Sequence, residues 1–314
     1  MNLLSLQTDE LVGLLTFVTI VFLVFVLAAN AVIRRVLKRK ATPTQRWVDH
    51  ISITLAAVGL VCIGYAWFIE PYRLSVSHVE ITSAKLPRGT APIRIVQLSD
   101  LHSDPKPRLE TRLAEVIAGE RPDLIVFTGD SINSPEGLPV FKQALSSLAK
   151  IAPTFVVKGN WDVNYWPGIE RFEGTGAMEL NGTTKLLEIH GMPVWVTGIA
   201  VGSERRFEAV MKTIPPDEFS ILLYHYPDFI SEARSQHIDL YCAGHTHGGQ
   251  IALPIYGALI TLSRFGKRYE SGLFHEDQTW MYVNRGIGME GGIVPRVRFW
   301  ATPEITSIEV HPAM

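Results

Sequence analysis

Cysteine and unbalanced charge are both scarce in this sequence. Its 314 residues include only two cysteines, Cys62 and Cys242, and 29 basic against 31 acidic residues give a net charge of −2. Two cysteines exclude a disulfide framework, and because Cys62 lies in an apolar run, we expect no bond between them. Without a basic excess no field attracts a polyanion, so we expect no nucleic-acid partner. Internal repeats and low-complexity segments are also missing.

Long apolar runs, in contrast, are present near the N-terminus. Residues 11–33 form an uncharged stretch of about the length needed to cross a hydrocarbon core of roughly 30 Å. Acidic Asp9 and Glu10 precede it, whereas a cleaved signal peptide has basic residues there. A second run, residues 51–69, ends at Glu70-Pro71. We predict a transmembrane hairpin anchor over residues 1–75, with two helices at about 11–33 and 51–69.

The loop between the two apolar runs is basic and indicates an orientation. It carries Arg34, Arg35, Lys38, Arg39, Lys40 and Arg46. Because Lys and Arg in short loops stay on the cytoplasmic side, the loop is predicted to face the cytoplasm and the rest of the chain the opposite side. The alternative is a solvated linker without topological meaning.

From residue 93 onward, the pattern of the chain changes. Residues 76–92 are predicted to be a linker with one strand, and after them apolar runs of strand length alternate with segments of helical period. Alternation of this kind favours an α/β domain with a buried sheet, here over residues 93–314. Strands with little helix are predicted near the end of the chain.

Several predicted strands end in residues that bind metals. These segments are Asp100-Leu101-His102, Gly129-Asp130, Gly159-Asn160-Trp161-Asp162, His225, and Gly244-His245-Thr246-His247. In open α/β sheets ligands gather at the carboxyl ends of strands. Oxygen and imidazole donors without thiolate suit Mn²⁺, Fe, Zn²⁺ or Ni²⁺ better than Mg²⁺.

This ordered set of motifs resembles the calcineurin-like metallophosphoesterase family. The resemblance runs from about residue 93 to 250 and continues into Arg264-Phe265-Gly266-Lys267, Asn284-Arg285-Gly286 and Pro303-Glu304-Ile305, where the chain is similar to bacterial membrane-anchored members. It implies an α/β/β/α sandwich, a hydrolase acting on phosphoric ester or pyrophosphate bonds, and a multi-pass protein of the bacterial inner membrane. With the orientation above, the catalytic domain is predicted to be extracytoplasmic.

The resemblance also implies the roles of single residues. Asp100, His102 and His247 would hold a first divalent metal ion, and Asn160, His225 and His245 a second, with Asp130 shared as the bridge. Mn²⁺ is the first expectation for both ions, with Fe, Zn²⁺ or Ni²⁺ as alternatives. Asp130 and Asn160 are the expected catalytic residues, at a centre where a bridging hydroxide attacks phosphorus.

The third motif departs from the family pattern, which usually reads Gly-Asn-His-Asp. Trp161 replaces the histidine that is thought to contact phosphate and assist the leaving group, and tryptophan cannot shuttle a proton. Either the leaving group is itself a phosphate, or another residue supplies the proton, or activity is reduced. Trp161, Lys267 and Arg285 are candidate substrate-binding residues, although a solvated face explains the last two equally well.

The predicted function is a membrane-anchored dinuclear phosphoesterase. Its partners would be the lipid bilayer and a phosphorylated, lipid-linked substrate such as UDP-2,3-diacylglucosamine, a lipid A precursor. The alternatives are a phospholipid phosphodiesterase on the outer face and a metal-binding module with impaired catalysis. Tyr165, Trp166 and Phe172 either present an apolar surface to a lipid chain or are ordinary core aromatics.

Overall fold

A computed structural model describes residues 7–291 and 295–313 of the chain. The helices are α1 (Thr8–Val36), α2 (Pro43–Phe68), α3 (Glu110–Glu120), α4 (Leu138–Leu148), α5 (Asn160–Asn164), α6 (Phe207–Met211) and α7 (Ile230–Ser235). By length and composition, α1 and α2 are able to cross a membrane.

Both long helices extend beyond the apolar runs from which they were predicted. At the start of α2, the Thr42 side chain accepts a hydrogen bond from the Gln45 backbone N–H and Pro43 occupies the first helical turn. This cap and proline favour a helix start eight residues before the apolar run at residue 51. The cap therefore lies at the polar loop end of the hairpin.

Twelve of the strands in the described chain form two sheets of six strands each. In order across the first sheet lie β1 (Ser75–Ser83), β14 (Glu304–Pro312), β2 (Ile93–Leu98), β3 (Leu124–Phe127), β4 (Thr154–Val156) and β5 (Met178–Glu179). The second contains β12 (Gly272–Glu276), β13 (Thr279–Val283), β9 (Leu240–Ala243), β8 (Phe219–Leu223), β7 (Met192–Gly198) and β6 (Thr183–Ile189). A small hairpin, β10 (Ala252–Leu253) and β11 (Gly257–Ala258), lies apart from both.

The strand predicted within the linker 76–92 is β1, and it forms the edge of the first sheet. It pairs in parallel with β14 along its full length, from Ser75 opposite Glu304 to Ser83 opposite Pro312. The C-terminal strand thus ties the segment after the hairpin to the centre of the domain, because β14 also pairs with β2.

Alternate side chains of the central strands face different layers. Ile93 and Ile95 of β2 lie in a core between the two sheets, whereas Val96 and Leu98 pack with α3 and α4 on the outer face. A third core lies between the second sheet and α6 and α7. Side chains two apart share a face of a strand, so one strand serves two cores. The predicted α/β/β/α sandwich is confirmed.

Candidate metal centre

The motif residues follow strands whose carboxyl ends point to one edge of the sandwich. In the first sheet β2, β3 and β4 are parallel, and in the second β7, β8 and β9 are parallel. The loops after these strands bond to their neighbours: Asp100 N–H donates to Gly129 O at 2.8 Å, and Gly244 N–H donates to His225 O at 2.9 Å. The motifs spread over 150 residues of sequence are therefore gathered in one place.

The backbone at this edge adopts an unusual conformation. Positive φ angles occur at Asp100 (51°), His102 (40°), Asp130 (59°), His245 (74°) and His247 (52°). Non-glycine residues avoid this left-handed region, and each one held there costs of order 1–3 kcal/mol in a strained site. The surrounding fold therefore holds these residues in place despite the strain in their backbone.

The carboxylates and imidazoles at this edge lie close enough to one another to share a metal ion. Asp100 Oδ1 is 3.4 Å from His247 Nε2 and 3.9 Å from His225 Nε2. Asp130 Oδ2 lies 3.2 Å from His225 Nε2 and 3.7 Å from His102 Nε2. Two groups of donors result, one of Asp100, His102 and His247, the other of Asp100, Asp130 and His225. Asp130 thus lies close to His102, a predicted ligand of the first metal, and to His225, a predicted ligand of the second.

The remaining predicted ligands border the same cluster. The His245 ring centroid is 5.1 Å from that of His225. Asn160 opens α5 four residues after the end of β4, and the backbone N–H of the next residue, Trp161, donates to Asp130 Oδ1 at 2.8 Å. The structure therefore groups five of the predicted ligands, Asp100, His102, Asp130, His225 and His247, and places His245 and Asn160 beside them.

Buried polar atoms without partners show that this region fits metal ions. Asp100 Oδ1, Asn160 Oδ1 and both ring nitrogens of His102 are buried and have no hydrogen bond to any residue that the structure describes. A buried polar atom that has lost its bound water and gains no other partner destabilises the fold by about 1–3 kcal/mol. Divalent cations would satisfy these donors, and oxygen with imidazole is a donor set suited to Mn²⁺, Fe or Zn²⁺.

Burial and the charges of neighbouring groups shift the pKa values of the cluster residues in different directions. Burial raises the pKa of Asp100 to about 7. Burial alone would lower the pKa of His225, but the charges of Asp130 and Asp100 outweigh it and raise that pKa to about 9. Burial and the nearby His225 charge lower the pKa of His245 to about 3. His245 is thus neutral and ready to bind a cation, whereas His225 must lose a proton first.

Asp162 holds two of the ligand loops together. Its Oδ2 accepts hydrogen bonds from the backbone N–H groups of Asp130 at 2.9 Å and Gly159 at 3.0 Å, and its Oδ1 from Ser131 at 3.1 Å. Arg171 Nε lies 3.2 Å from Asp162 Oδ1, and both side chains are fully buried. The sequence showed Asp162 as a motif residue, but nothing in the spacing pointed to Arg171 as its partner.

A second buried arginine, Arg298, supports the histidine pair. Its Nη2 lies 3.2 Å from His247 Nδ1, and its Nε donates to Gly288 O at 2.9 Å. Burial lowers its pKa to about 9. Gly244 directly precedes the histidine pair. A Cβ at this position would overlap Ser99 and Asp100, so only glycine fits there. Sequence reasoning missed Arg298, because no motif contains it.

The candidate substrate-binding residues are placed differently from one another. The Trp161 ring lies edge-on to His102 with centroids 5.1 Å apart, and its Nε1 donates to Glu290 at 3.3 Å. Arg285 Nη2 donates to Glu304 Oε1 at 2.8 Å. Lys267 lies over the Tyr256 ring, 3.4 Å from its centroid. Trp161 is thus part of the cluster, whereas Lys267 contacts the β10–β11 hairpin.

Two of the three aromatic residues considered for lipid contact belong to the protein core. Phe172 is buried in the core outside the first sheet, and Trp166 packs against that core. Tyr165 is partly exposed and stacks on Trp161 at 4.5 Å. Phe172 is therefore an ordinary core aromatic.

Comparison with known proteins agrees with this site. A family model described as "Calcineurin-like phosphoesterase" matches residues 93–249. The chain is 33% identical over 254 residues to "Uncharacterized metallophosphoesterase YkuE" of Bacillus subtilis, covering 77% of this chain and 87% of that protein. It is 31% identical over 284 residues to "Phosphodiesterase YaeI" of Escherichia coli, covering 85% and 98%.

A vertebrate relative also matches. "Transmembrane protein with metallophosphoesterase domain" of Danio rerio is 26% identical over 288 residues, which are 84% of this chain and 62% of that protein. The family uses a dinuclear divalent metal centre, and the donors described above are candidate ligands for it. The chain belongs to the calcineurin-like phosphoesterase family and is a hydrolase acting on phosphoester bonds.

Proposed function

We propose that this protein is a membrane-anchored, dinuclear metal-dependent hydrolase that cleaves a phosphodiester or pyrophosphate bond in a lipid-linked substrate. One observation carries the proposal: the candidate metal centre lies at the end of the domain onto which the apolar hairpin docks. A site in this position would lie close to substrates that reside in the bilayer.

Two buried carboxylates make this docking specific. Near the start of α1, Glu10 accepts hydrogen bonds from Thr261 N–H at 2.7 Å and from its hydroxyl at 2.6 Å. After α2, Glu70 accepts from the backbone N–H groups of Trp300 at 2.9 Å and Ala301 at 2.8 Å. Each carboxylate accepts hydrogen bonds from backbone N–H groups that would otherwise be buried without a partner. Both helices are thereby tied to loops that surround the ligands.

The opposite end of the hairpin supports an extracytoplasmic catalytic domain at the bacterial inner membrane. Arg35, Lys38, Arg39 and Arg46 border a polar pocket there, far from the docked end. Basic residues of short loops stay in the cytoplasm, so the domain at the other end faces outward. Exposed aromatic side chains near the docked end, Tyr72, Tyr256 and Trp300, suit the level of lipid headgroups.

Labelling of cysteines introduced into the loop at residues 37–42 tests this orientation in intact cells. We expect a membrane-impermeant maleimide to leave them unlabelled until the cells are permeabilised. Labelling from outside would reverse the orientation.

The ligand assignment within the proposed site rests on the family resemblance. Asp100, His102 and His247 would hold one cation, Asn160, His225 and His245 the other, and Asp130 would contribute to both. When bound, two divalent cations, Mn²⁺ in our proposal, supply Lewis acidity that neutralises phosphoryl charge and lowers the pKa of water. The protein fixes the donors: Asp162 holds the Asp130 and Asn160 loops in register through three backbone hydrogen bonds.

Two substrates satisfy these requirements, and a different observation favours each. Trp161 cannot transfer a proton to a leaving group, which suits a leaving group that is itself a phosphate, as in UDP-2,3-diacylglucosamine. The basic hairpin loop instead favours a phospholipid phosphodiester on the outer face, because that nucleotide is cytoplasmic. Incubation of the detergent-solubilised protein with each substrate, followed by mass analysis of products, decides between them.

A soluble chromogenic substrate tests the chemistry itself. We expect the purified protein to contain two divalent ions per chain by elemental analysis and to hydrolyse bis(p-nitrophenyl) phosphate. Removal of the ions by a chelator should abolish turnover, and Mn²⁺ should restore it. Bound metal without turnover would indicate a metal-binding module with impaired catalysis, and absence of both metal and turnover would overturn the proposed function.

A further inference from the structure

An apolar cavity of about 350 Å³ adjoins the candidate metal centre. His245 and His247 border it at one end. Its apolar walls are Leu14, Phe17 and Val18 of α1 and, opposite them, Leu259, Ile260 and Leu262. The volume is within the range of about 300–1,000 Å³ that is usual for small-ligand sites. A helix long enough to cross a membrane therefore forms one wall of a cavity that ends at metal ligands.

The three α1 residues share one face of the helix. Leu14, Phe17 and Val18 are spaced i, i+3 and i+4, which places them side by side. Leu14 lies about 9 Å along the axis from the start of α1, at 1.5 Å per residue. The neighbouring Leu15 points away from the cavity and is 57% exposed. A hairpin inserted in a bilayer would thus place the cavity next to lipid near the membrane surface.

The opposite wall is held against α1 by the contact between Glu10 and Thr261. Thr261 lies between two wall residues, Ile260 and Leu262, and both of its hydrogen bonds to Glu10 are buried. Leu262 is linked to the ligand cluster in addition, since its carbonyl oxygen is 3.4 Å from His245 Nε2. The helix, the wall and the histidine pair are therefore fixed relative to one another.

The cavity is bordered by two chemically different sets of residues. Gln250 and Glu290 border it together with the histidine pair, whereas the residues that α1 contributes are aliphatic and aromatic. Burying an alkyl chain against such apolar side chains is favourable. A ligand that places phosphate at the histidines and an alkyl chain along α1 matches these two sets.

We propose that the cavity is the acyl-chain subsite for a membrane lipid whose phosphate lies at the metal centre. The inference rests on the proposed function and names the part of the substrate that the enzyme recognises. It assigns α1 a role in substrate binding: the lipid leaves the bilayer along the face of Leu14, Phe17 and Val18, and its chain remains against the helix while the headgroup reaches the ligands.

A pair of synthetic diesters tests the proposal with the full-length protein in lipid nanodiscs. Hexadecyl p-nitrophenyl phosphate and methyl p-nitrophenyl phosphate share the bond that breaks and differ only in chain length. The readout is the ratio of their kcat/KM values. We expect Leu14→Trp, which fills the cavity, to lower this ratio at least about tenfold, because a few methylenes in an apolar pocket are worth that much.

Leu15→Trp is the matched control, since it adds the same side chain on the lipid-facing side of the same turn. It should keep the wild-type ratio and so correct for partitioning of the long diester into the nanodisc. Ile260→Trp, on the opposite wall, should lower the ratio as Leu14→Trp does. An unchanged ratio in both cavity variants would overturn the proposal.

A binding measurement separates this proposal from the proposed function. Phosphatidylglycerol with a diazirine in its acyl chain is photo-crosslinked to the protein in nanodiscs, and labelled peptides are identified by mass spectrometry. We expect labelling of the segment 259–262 in the wild type and in Leu15→Trp but not in Leu14→Trp. Failure of both diesters to react would refute the hydrolase function, whereas absence of label at 259–262 would refute the subsite.

Discussion

The metal centre and the apolar cavity beside it are neighbours built in opposite ways. The centre consists of buried polar donors from loops that follow the strands, and several of them have no hydrogen-bond partner among the described residues. The cavity is lined largely by apolar side chains, some of them from α1. In our proposals the loops after the strands supply the chemistry and α1 contributes to the choice of substrate. Substitutions in the two regions should therefore have different signatures.

The largest effect is expected at the centre of the ligand cluster. Asp130→Ala removes the carboxylate that lies within 3.7 Å of both His102 and His225. We expect activity to fall by about a thousandfold or more on short and long diesters alike, because the loss amounts to several kcal/mol of transition-state stabilisation. Steady-state assays with both diesters and metal analysis measure it. Asp217→Ala, at an exposed carboxylate, is the control, and retained activity in Asp130→Ala would contradict the bridging role.

Asp162→Ala should act on the same centre without removing a proposed ligand side chain. It leaves the buried Arg171 unpaired, so we expect the free energy of unfolding to fall by about 3–5 kcal/mol. Metal affinity should fall by about 10–100-fold as the loops of Asp130 and Asn160 separate. Denaturant titration and metal titration measure the two effects. Adding Arg171→Met should recover part of the stability but not the metal affinity, and equal recovery of both would argue against a positioning role.

The difference between the two regions also explains what the sequence could predict. The candidate ligands lie in short motifs after apolar strands, so strand periodicity and residue chemistry sufficed to propose Asp100, Asp130 and His245. The cavity required knowledge that Leu14 and Ile260 line the same space, which depends on tertiary docking across most of the chain. Arg298 was missed for the same reason, because His247 is 51 residues away. Arg171 lies only nine residues from Asp162, but no motif contains it. The edge position of β1 likewise depended on pairing with the last strand.

The pH dependence of metal binding would sharpen the description of the centre. Because the pKa of His225 is raised to about 9, this residue carries a proton at pH 8 that a bound cation must displace. Apparent metal affinity should therefore rise by about tenfold per pH unit up to about pH 9. Calorimetry of the metal-depleted protein at pH 8 in two buffers of different ionisation enthalpy should show about one proton released. Binding without proton release would contradict a protonated His225.

A moderate effect is expected where α1 meets the cavity wall. Glu10→Ala leaves the buried Thr261 N–H without its acceptor and loosens the helix from the wall. We expect the hexadecyl-to-methyl kcat/KM ratio to fall by about fivefold, which corresponds to about 1 kcal/mol of lost chain binding. Glu10→Gln retains an acceptor and Asp9→Ala alters an exposed neighbour, so both should keep the ratio. A fall in Asp9→Ala of the same size would assign the effect to charge near the membrane rather than to docking.

The smallest effect concerns Trp161, whose ring lies edge-on to His102. Trp161→His places an ionisable ring where the related enzymes usually have one. We expect it to raise turnover of a methyl phenyl diester relative to a p-nitrophenyl diester by about threefold, a small part of the 10²–10⁴ that a well-positioned acid provides. A poorer leaving group needs the proton more, so a shallower dependence of kcat on leaving-group pKa is the diagnostic measurement. Trp161→Phe cannot donate a proton, and the same shallowing in that variant would show that bulk, rather than acid catalysis, limits the reaction beside His102.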